Sequence, residues 1–302
     1  MQQAQAKLLS DEQRLHLHHG PIDLIVEAFG LGRDAAYRRA TERFSVILQE
    51  LVDELPELRA RGRTDRQFFG PVAQRMQSAI APFCNQFVTP MAAVAGAVAD
   101  DILQHVAGGA GVQKAYVNNG GDIAFYLEPG STMTVAMASI PGGRATLSAT
   151  NTYRGIATSG WRGRSLSFGI ADAVTVIARD AASADVAATL IANAVDVPGC
   201  PTITRAPANE IAPDSDLGEL LVTTNVGKLS EFQAVHALQL GRSFAEDLLQ
   251  RQMIGAAFLQ LSGRIEEVGP IATSHSVLGS THQPGDPIDY TPVAIRCAAL
   301  SC

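Results

Sequence analysis

The chain has 302 residues, 46% hydrophobic and 18% charged, with a net charge of −7. That length suits one large domain or two small ones, either with a substantial core. The acidic balance, with no basic run, excludes nucleic acid or an anionic membrane surface as the main partner.

Cys84, Cys200, Cys297 and Cys302 form no C-x-x-C pair and stand in no zinc spacing with histidine, so idle thiols in a reducing cytoplasm are expected. Residues 1–14 read as a flexible polar arm with no apolar signal region, and residues 15–302 as a single domain. No apolar run approaches the ~20 residues of a membrane span.

Residues 15–19, Leu-His-Leu-His-His, alternate like a strand, and Gly20-Pro21 ends it. His16 and His18 share one strand face and His19 takes the other. With no carboxylate pattern nearby, the expectation is surface histidines or a substrate-facing hydrogen bond rather than metal ligation. Residues 34–55 are helical in pattern, with Phe44, Ile47, Leu48 and Leu51 at three- and four-residue steps, and Pro56 closes the helix. Residues 60–68 form an Arg-rich exposed connector, and a second helix covers residues 72–80. A third spans residues 89–106, with Thr89 as cap and Pro90 at the first position. Its middle is built of small residues, which lets another backbone or a flat ligand pack closely.

Residues 114–119 read as a strand that stops at Gly120-Gly121 and restarts at Ile123. Two adjacent glycines accept positive φ and let backbone approach a ligand. Asn119 and Asp122 flank them with an amide and a carboxylate, although the same residues also make an ordinary tight turn. Strands follow at residues 123–127, 132–138 and 145–149, giving a meander and a partly antiparallel sheet. A corner, Thr158-Ser159-Gly160, exposes two hydroxyls and an amide. Residues 172–178 are a strand and 183–194 a helix, where Asp185 and Thr189 stand four apart on one face. Residues 196–227 read as a long surface loop. Ser230-Glu231-Phe232-Gln233 is a capping box that opens a helix to about residue 251. Residues 254–261 are a closing strand, and the tail from Gly269, with His275, His282 and Asp286, is an ordered loop or a lid.

Three segments together resemble the ApbE-like superfamily of FAD:protein FMN transferases. They are the small-residue helix from Gly96 to Asp100 leading into Asn118-Asn119-Gly120-Gly121-Asp122, then Ala157-Thr158-Ser159-Gly160, then the strand from Ala173 to Ala178 with Ala184-Asp185 and Thr189. The ends look more like an uncharacterised ApbE-like branch. The fold expected is α/β in an α+β arrangement, a two-lobed ApbE/T-fold-like domain with a mixed, largely antiparallel sheet and packed helices. The resemblance implies FAD or FMN as cofactor or substrate and magnesium held by Asp185 and Thr189. Two departures stand out. Ala95 occupies the place of the transferases' lysine, and residues 161–170 lack their His-Ile-x-Asp-Pro motif.

A magnesium ion needs only one or two carboxylates besides substrate phosphates, which Asp185 with Thr189 supplies. Amides at Gly120 and Gly121, and at Thr158 to Gly160, suit anionic groups, with Asn119 beside them. Asp122 would bind a ribityl or other hydroxyl, or orient the turn. The leading expectation is a magnesium-dependent enzyme acting on a flavin nucleotide, by FMN transfer to an acceptor protein or by hydrolysis. The second is a hydrolase for a non-flavin metabolite using Ser159 with His19 or His18, and Arg162. The third is a non-catalytic module binding flavin or a partner protein.

Overall fold

The computed structural model describes residues 3–137, 143–270 and the strand Ser274–His275. The polar arm is not loose. It contains strand β1 (Gln5–Leu8), antiparallel to β2 (Leu15–His19), with Gln5 opposite His18 and Leu8 opposite Leu15. All four β1 residues are exposed, so no alternation marks the strand. Pairing of its backbone groups with the edge of β2 holds it. A two-residue turn with Gly20 at φ +58° leads into β3 (Ile22–Phe29).

Helix α1 (Arg33–Asp53) buries Phe44, Ile47 and Leu51 on one face, each contributing ~1.5–3 kcal/mol. Pro56 lies in the first turn of a short α2 (Leu55–Leu58), where its missing N–H costs nothing. Helix α3 is Pro71–Ile80. A 3-10 turn, Pro90–Ala93, precedes α4 (Val94–Ala107). Thr89 makes no cap bond, and its hydroxyl instead donates to the Asp216 carboxylate.

The meander follows as β4 (Lys114–Asn119), β5 (Asp122–Leu127), β6 (Thr132–Ala136) and β7 (Gly143–Ser148). Then come β8 (Gly155–Ser159), β9 (Ala173–Ala178) and α5 (Ala181–Ala194), which is capped by Asp180 accepting the Ser183 amide at 2.8 Å. The expected surface loop instead carries β10 (Ile203–Pro207), α6 (Ala208–Ile211) and β11 (Leu221–Val226), with β10 and β11 paired. Its prolines and acids mark turns, and burial does not alternate along either of the two strands between them. Ser230 closes the expected capping box on α7 (Glu231–Gln250). Strand β12 (Ile254–Leu261) does not close the sheet, because β13 (Arg264–Val268) pairs outside it. Ser274–His275 is β14, paired with β7. The rest of the expected loop or lid lies outside the described residues.

One sheet runs β1-β2-β3-β4-β5-β8-β9-β12-β13, and its pairings are all antiparallel. Helices α4 and α5 lie across its middle, between α1 and α7, over a core that includes Val117, Ala124, Ala157 and Val176. The opposite face carries β6 and β7, whose Met133, Val135 and Leu147 pack on Tyr116, Phe125 and Phe258. The molecule is therefore an α+β arrangement of helices, large antiparallel sheet and small sheet. Among the described residues no helix is long and apolar enough to cross a membrane.

Candidate functional site

The site is built where two strand ends meet the starts of two helices. Gly120 and Gly121 have φ of +64° and +116°, as a two-residue hairpin of the primed type needs. The Asn118 carboxamide accepts the Gly121 amide at 2.8 Å. Asn119 donates through Nδ2 to the Ala95 carbonyl at 3.0 Å, so the turn is tied to the beginning of α4. Asp122 is buried and accepts the Thr158 amide at 3.2 Å.

Helices α4 and α5 meet at Gly96. A Cβ there would collide with the carbonyl and carbon of Ala181, which explains the small-residue stretch as helix-on-helix contact. This closeness brings Asp185 to the start of α4, where it accepts the Gly96 amide at 3.1 Å and also faces the Ala95 amide. One turn along α5, the Thr189 hydroxyl stands 3.5 Å from Ser159 Oγ. Asn119, Asp122, Ser159, Asp185 and Thr189 are thus brought together on the helix side of the sheet.

Burial pushes the Asp122 carboxyl up to about 7, opposed by the Thr158 amide and the Arg164 guanidinium. Asp185 is raised well above the usual carboxylate range by burial and by the charge of Asp122, against the two α4 amides. Two desolvated carboxylates that oppose one another's ionisation favour a shared proton or a bound cation.

The remaining expected residues stand elsewhere. Thr158 points to the other face of the sheet, where its hydroxyl meets Thr175 Oγ1 at 2.8 Å, because neighbouring strand residues alternate. The two hydroxyls of the Thr-Ser corner therefore do not act on one ligand from one face. The Gly121 and Thr158 amides, expected to hold an anion, are engaged by Asn118 and Asp122. Gly160 follows Ser159 with the Asp172 carbonyl 2.6 Å from where its Cβ would be. Arg162 pairs with Asp172 at 2.7 Å and lies over the Trp161 ring at 4.6 Å.

His19 packs against Phe44 of α1, with ring centroids 6.2 Å apart. It lies on β2, four strand steps from β8, which is roughly 19 Å at the usual strand spacing. The Ser159–His19 pair expected of a hydrolase is not assembled, and His18 faces the far side of the sheet.

Arg164, in contrast, stands outside the motifs of the sequence. Its guanidinium sits over the Gly-Gly turn, where any Cβ on Gly120 would strike it. The signal available was an Arg-Gly-Arg run just after the Thr-Ser-Gly corner. Which arginine faces the site follows from Asp172 holding the other.

Residues 6–267 match the family model described as AbpE bacteria. The chain belongs to that family. Among its relatives, the UPF0280 protein of Methanothrix thermoacetophila is 41% identical over 128 residues, covering 41% of this chain and 52% of its own. The UPF0280 protein of Methanothermobacter thermautotrophicus is 39% identical over 137 residues, 43% and 50% of the two chains. That of Archaeoglobus fulgidus is 40% identical over 109 residues, 36% and 45%. The chain spans about half the length of the curated relatives it matches. Within this AbpE bacteria member, a cleft of 380 Å³ lined by Arg75, Asp100, Arg179 and Ser183 lies at the start of α5. None of Asn119, Asp122, Ser159, Asp185 and Thr189 lines it, so its size is no guide to the motif residues.

Proposed function

We propose that this protein is an ApbE-like, magnesium-dependent enzyme that cleaves the pyrophosphate of a flavin nucleotide. The observation that carries the reading is the convergence of the buried Asp122 and Asp185 carboxylates with the hydroxyls of Ser159 and Thr189. The donor set is all hard oxygen, and Asp122 and Asp185 oppose one another's ionisation, which fits magnesium. Asp185 and Thr189 would hold the ion, with Asp122 beside them. When bound, it would neutralise charge on the pyrophosphate.

The chain's own residues account for the rest. Arg164 offers a guanidinium to a phosphate beside the Gly-Gly turn. Asn119 keeps that turn docked on α4, and Asp122 holds a proton near neutral pH. In FAD the FMN phosphorus would take an oxygen from water or from an acceptor protein's hydroxyl, and AMP would leave. Ala95 and the histidine-free segment 161–170 provide neither the transferases' lysine nor their histidine. Hydrolysis therefore ranks ahead of transfer to a protein. The free thiols of Cys84 and Cys200 accord with the cytoplasmic location that belongs to this proposal.

Calorimetric titration with FAD, with and without Mg²⁺, tests the reading. Saturable binding that requires Mg²⁺ supports it. Absence of binding in both conditions refutes it.

A further inference from the structure

We propose that His16, His18 and Asp23 form a site for one divalent first-row transition-metal ion such as Zn²⁺. The site lies on the opposite face of the sheet from α4 and α5. Register builds it. His16 and His18 are two apart on β2 and share a face, while β3 places Asp23 directly opposite His18. The carboxylate is thus supplied across the hairpin. One ligand atom from each of the three residues lies within 4.8 Å of the others. His16 Nε2 is 2.8 Å from Asp23 Oδ1, and His18 Nδ1 is 3.6 Å from Asp23 Oδ2.

Two imidazoles and one carboxylate are a borderline donor set, matched to zinc, iron or copper rather than to magnesium or calcium. Zinc takes such ligands at ~2.0–2.2 Å. The side chains, between 34% and 50% exposed, can close on the ion by rotamer changes alone. Three protein ligands leave a position open to water or substrate, as in catalytic rather than closed structural sites. On β1, Gln5 stands opposite His18 and Lys7 opposite His16. Gln5 is placed to add an oxygen, and Lys7 sets a positive charge at the rim that weakens affinity for the ion while favouring an anionic ligand on it.

The test is equilibrium dialysis of the untagged protein against Co²⁺ and Zn²⁺ in excess Mg²⁺, with the visible absorption of bound Co²⁺ recorded. The expected result is one equivalent bound per chain despite the Mg²⁺. His16→Ala, His18→Ala and Asp23→Asn should each weaken binding by more than the roughly 10–100-fold loss that follows removal of an outer-shell partner. His236→Ala, remote on α7, should bind as wild type, and circular dichroism verifies folding of each variant. No saturable binding overturns the proposal, as does unchanged binding in the three variants.

Discussion

Asp100 and Asp185 exchange places between two helices. Asp100 on α4 accepts the Ala181 and Ala182 amides at the start of α5, at 3.0 and 2.9 Å, and Asp185 on α5 accepts the Gly96 amide at the start of α4. Each carboxylate satisfies helix-terminal N–H groups that have no partner within their own helix, and each sits at the positive end of a dipole. The exchange needs the two backbones almost in contact, which Gly96 permits. It fixes Asp185 beside Asp122, so the packing of the helices and the chemistry of the site depend on one crossing.

Gly96→Ala places a methyl group against the Ala181 backbone. Because backbone cannot move aside as a side-chain tip can, the expected loss is about 2–3 kcal/mol. Urea denaturation measures it. A loss below a few tenths would mean that the helices shift freely at this point.

Stability should fall as pH rises from about 4 to above 7. Asp100 and Asp122 titrate near 7 in the folded chain, against an ordinary 3.8, and Asp185 is also raised. Between these values the native state binds more protons than the unfolded chain, so the slope of unfolding free energy with pH is negative. Melting temperature should therefore be higher at pH 5 than at pH 8. Asp122→Asn should flatten the profile and add about 1 kcal/mol at pH 8 by removing a desolvated charge. If magnesium binds as proposed, it should raise the melting temperature more at pH 8 than at pH 5.

Arg164→Gln should weaken FAD binding about tenfold, the ~1.5 kcal/mol of a charge-assisted hydrogen bond, without changing the melting temperature. Arg164 is exposed, so little packing is lost. Titration calorimetry beside a thermal melt separates the two effects.

His19→Ala should leave any turnover unchanged while costing about 1–2 kcal/mol of stability, as for a buried ring removed from its neighbours. Assay and denaturation of the same preparation check this. A large loss of rate with wild-type stability would restore His19 to the chemistry.

Local pattern made some of the fold legible. The strand Lys114–Asn119 reads directly from its apolar run and the glycines after it, and Ser230 with Gln233 marks the start of α7 by a bond between neighbours in sequence. Asn119, Asp122, Ser159, Asp185 and Thr189, which the fold brings together at the candidate site, are nameable from motif spacing, which carries their types. What escaped depends on pairing between distant segments. Strand β1 exists because β2 offers an edge. Asp23 meets His18 through hairpin register. Arg164 rather than Arg162 reaches the Gly-Gly turn because Asp172 holds the latter. Thr158 and Ser159 look like one pair of hydroxyls until alternation in β8 sends them to opposite faces.

Cleavage of a flavin pyrophosphate is measured by incubating the wild-type protein and Asp185→Ala with FAD and Mg²⁺ and quantifying FMN and AMP by chromatography. Wild type should release equal amounts of the two products, or release AMP while FMN becomes attached to an acceptor protein. Asp185→Ala, shown folded by circular dichroism, should do neither. Intact FAD after prolonged incubation with wild type, or equal release by Asp185→Ala, would contradict the proposed function.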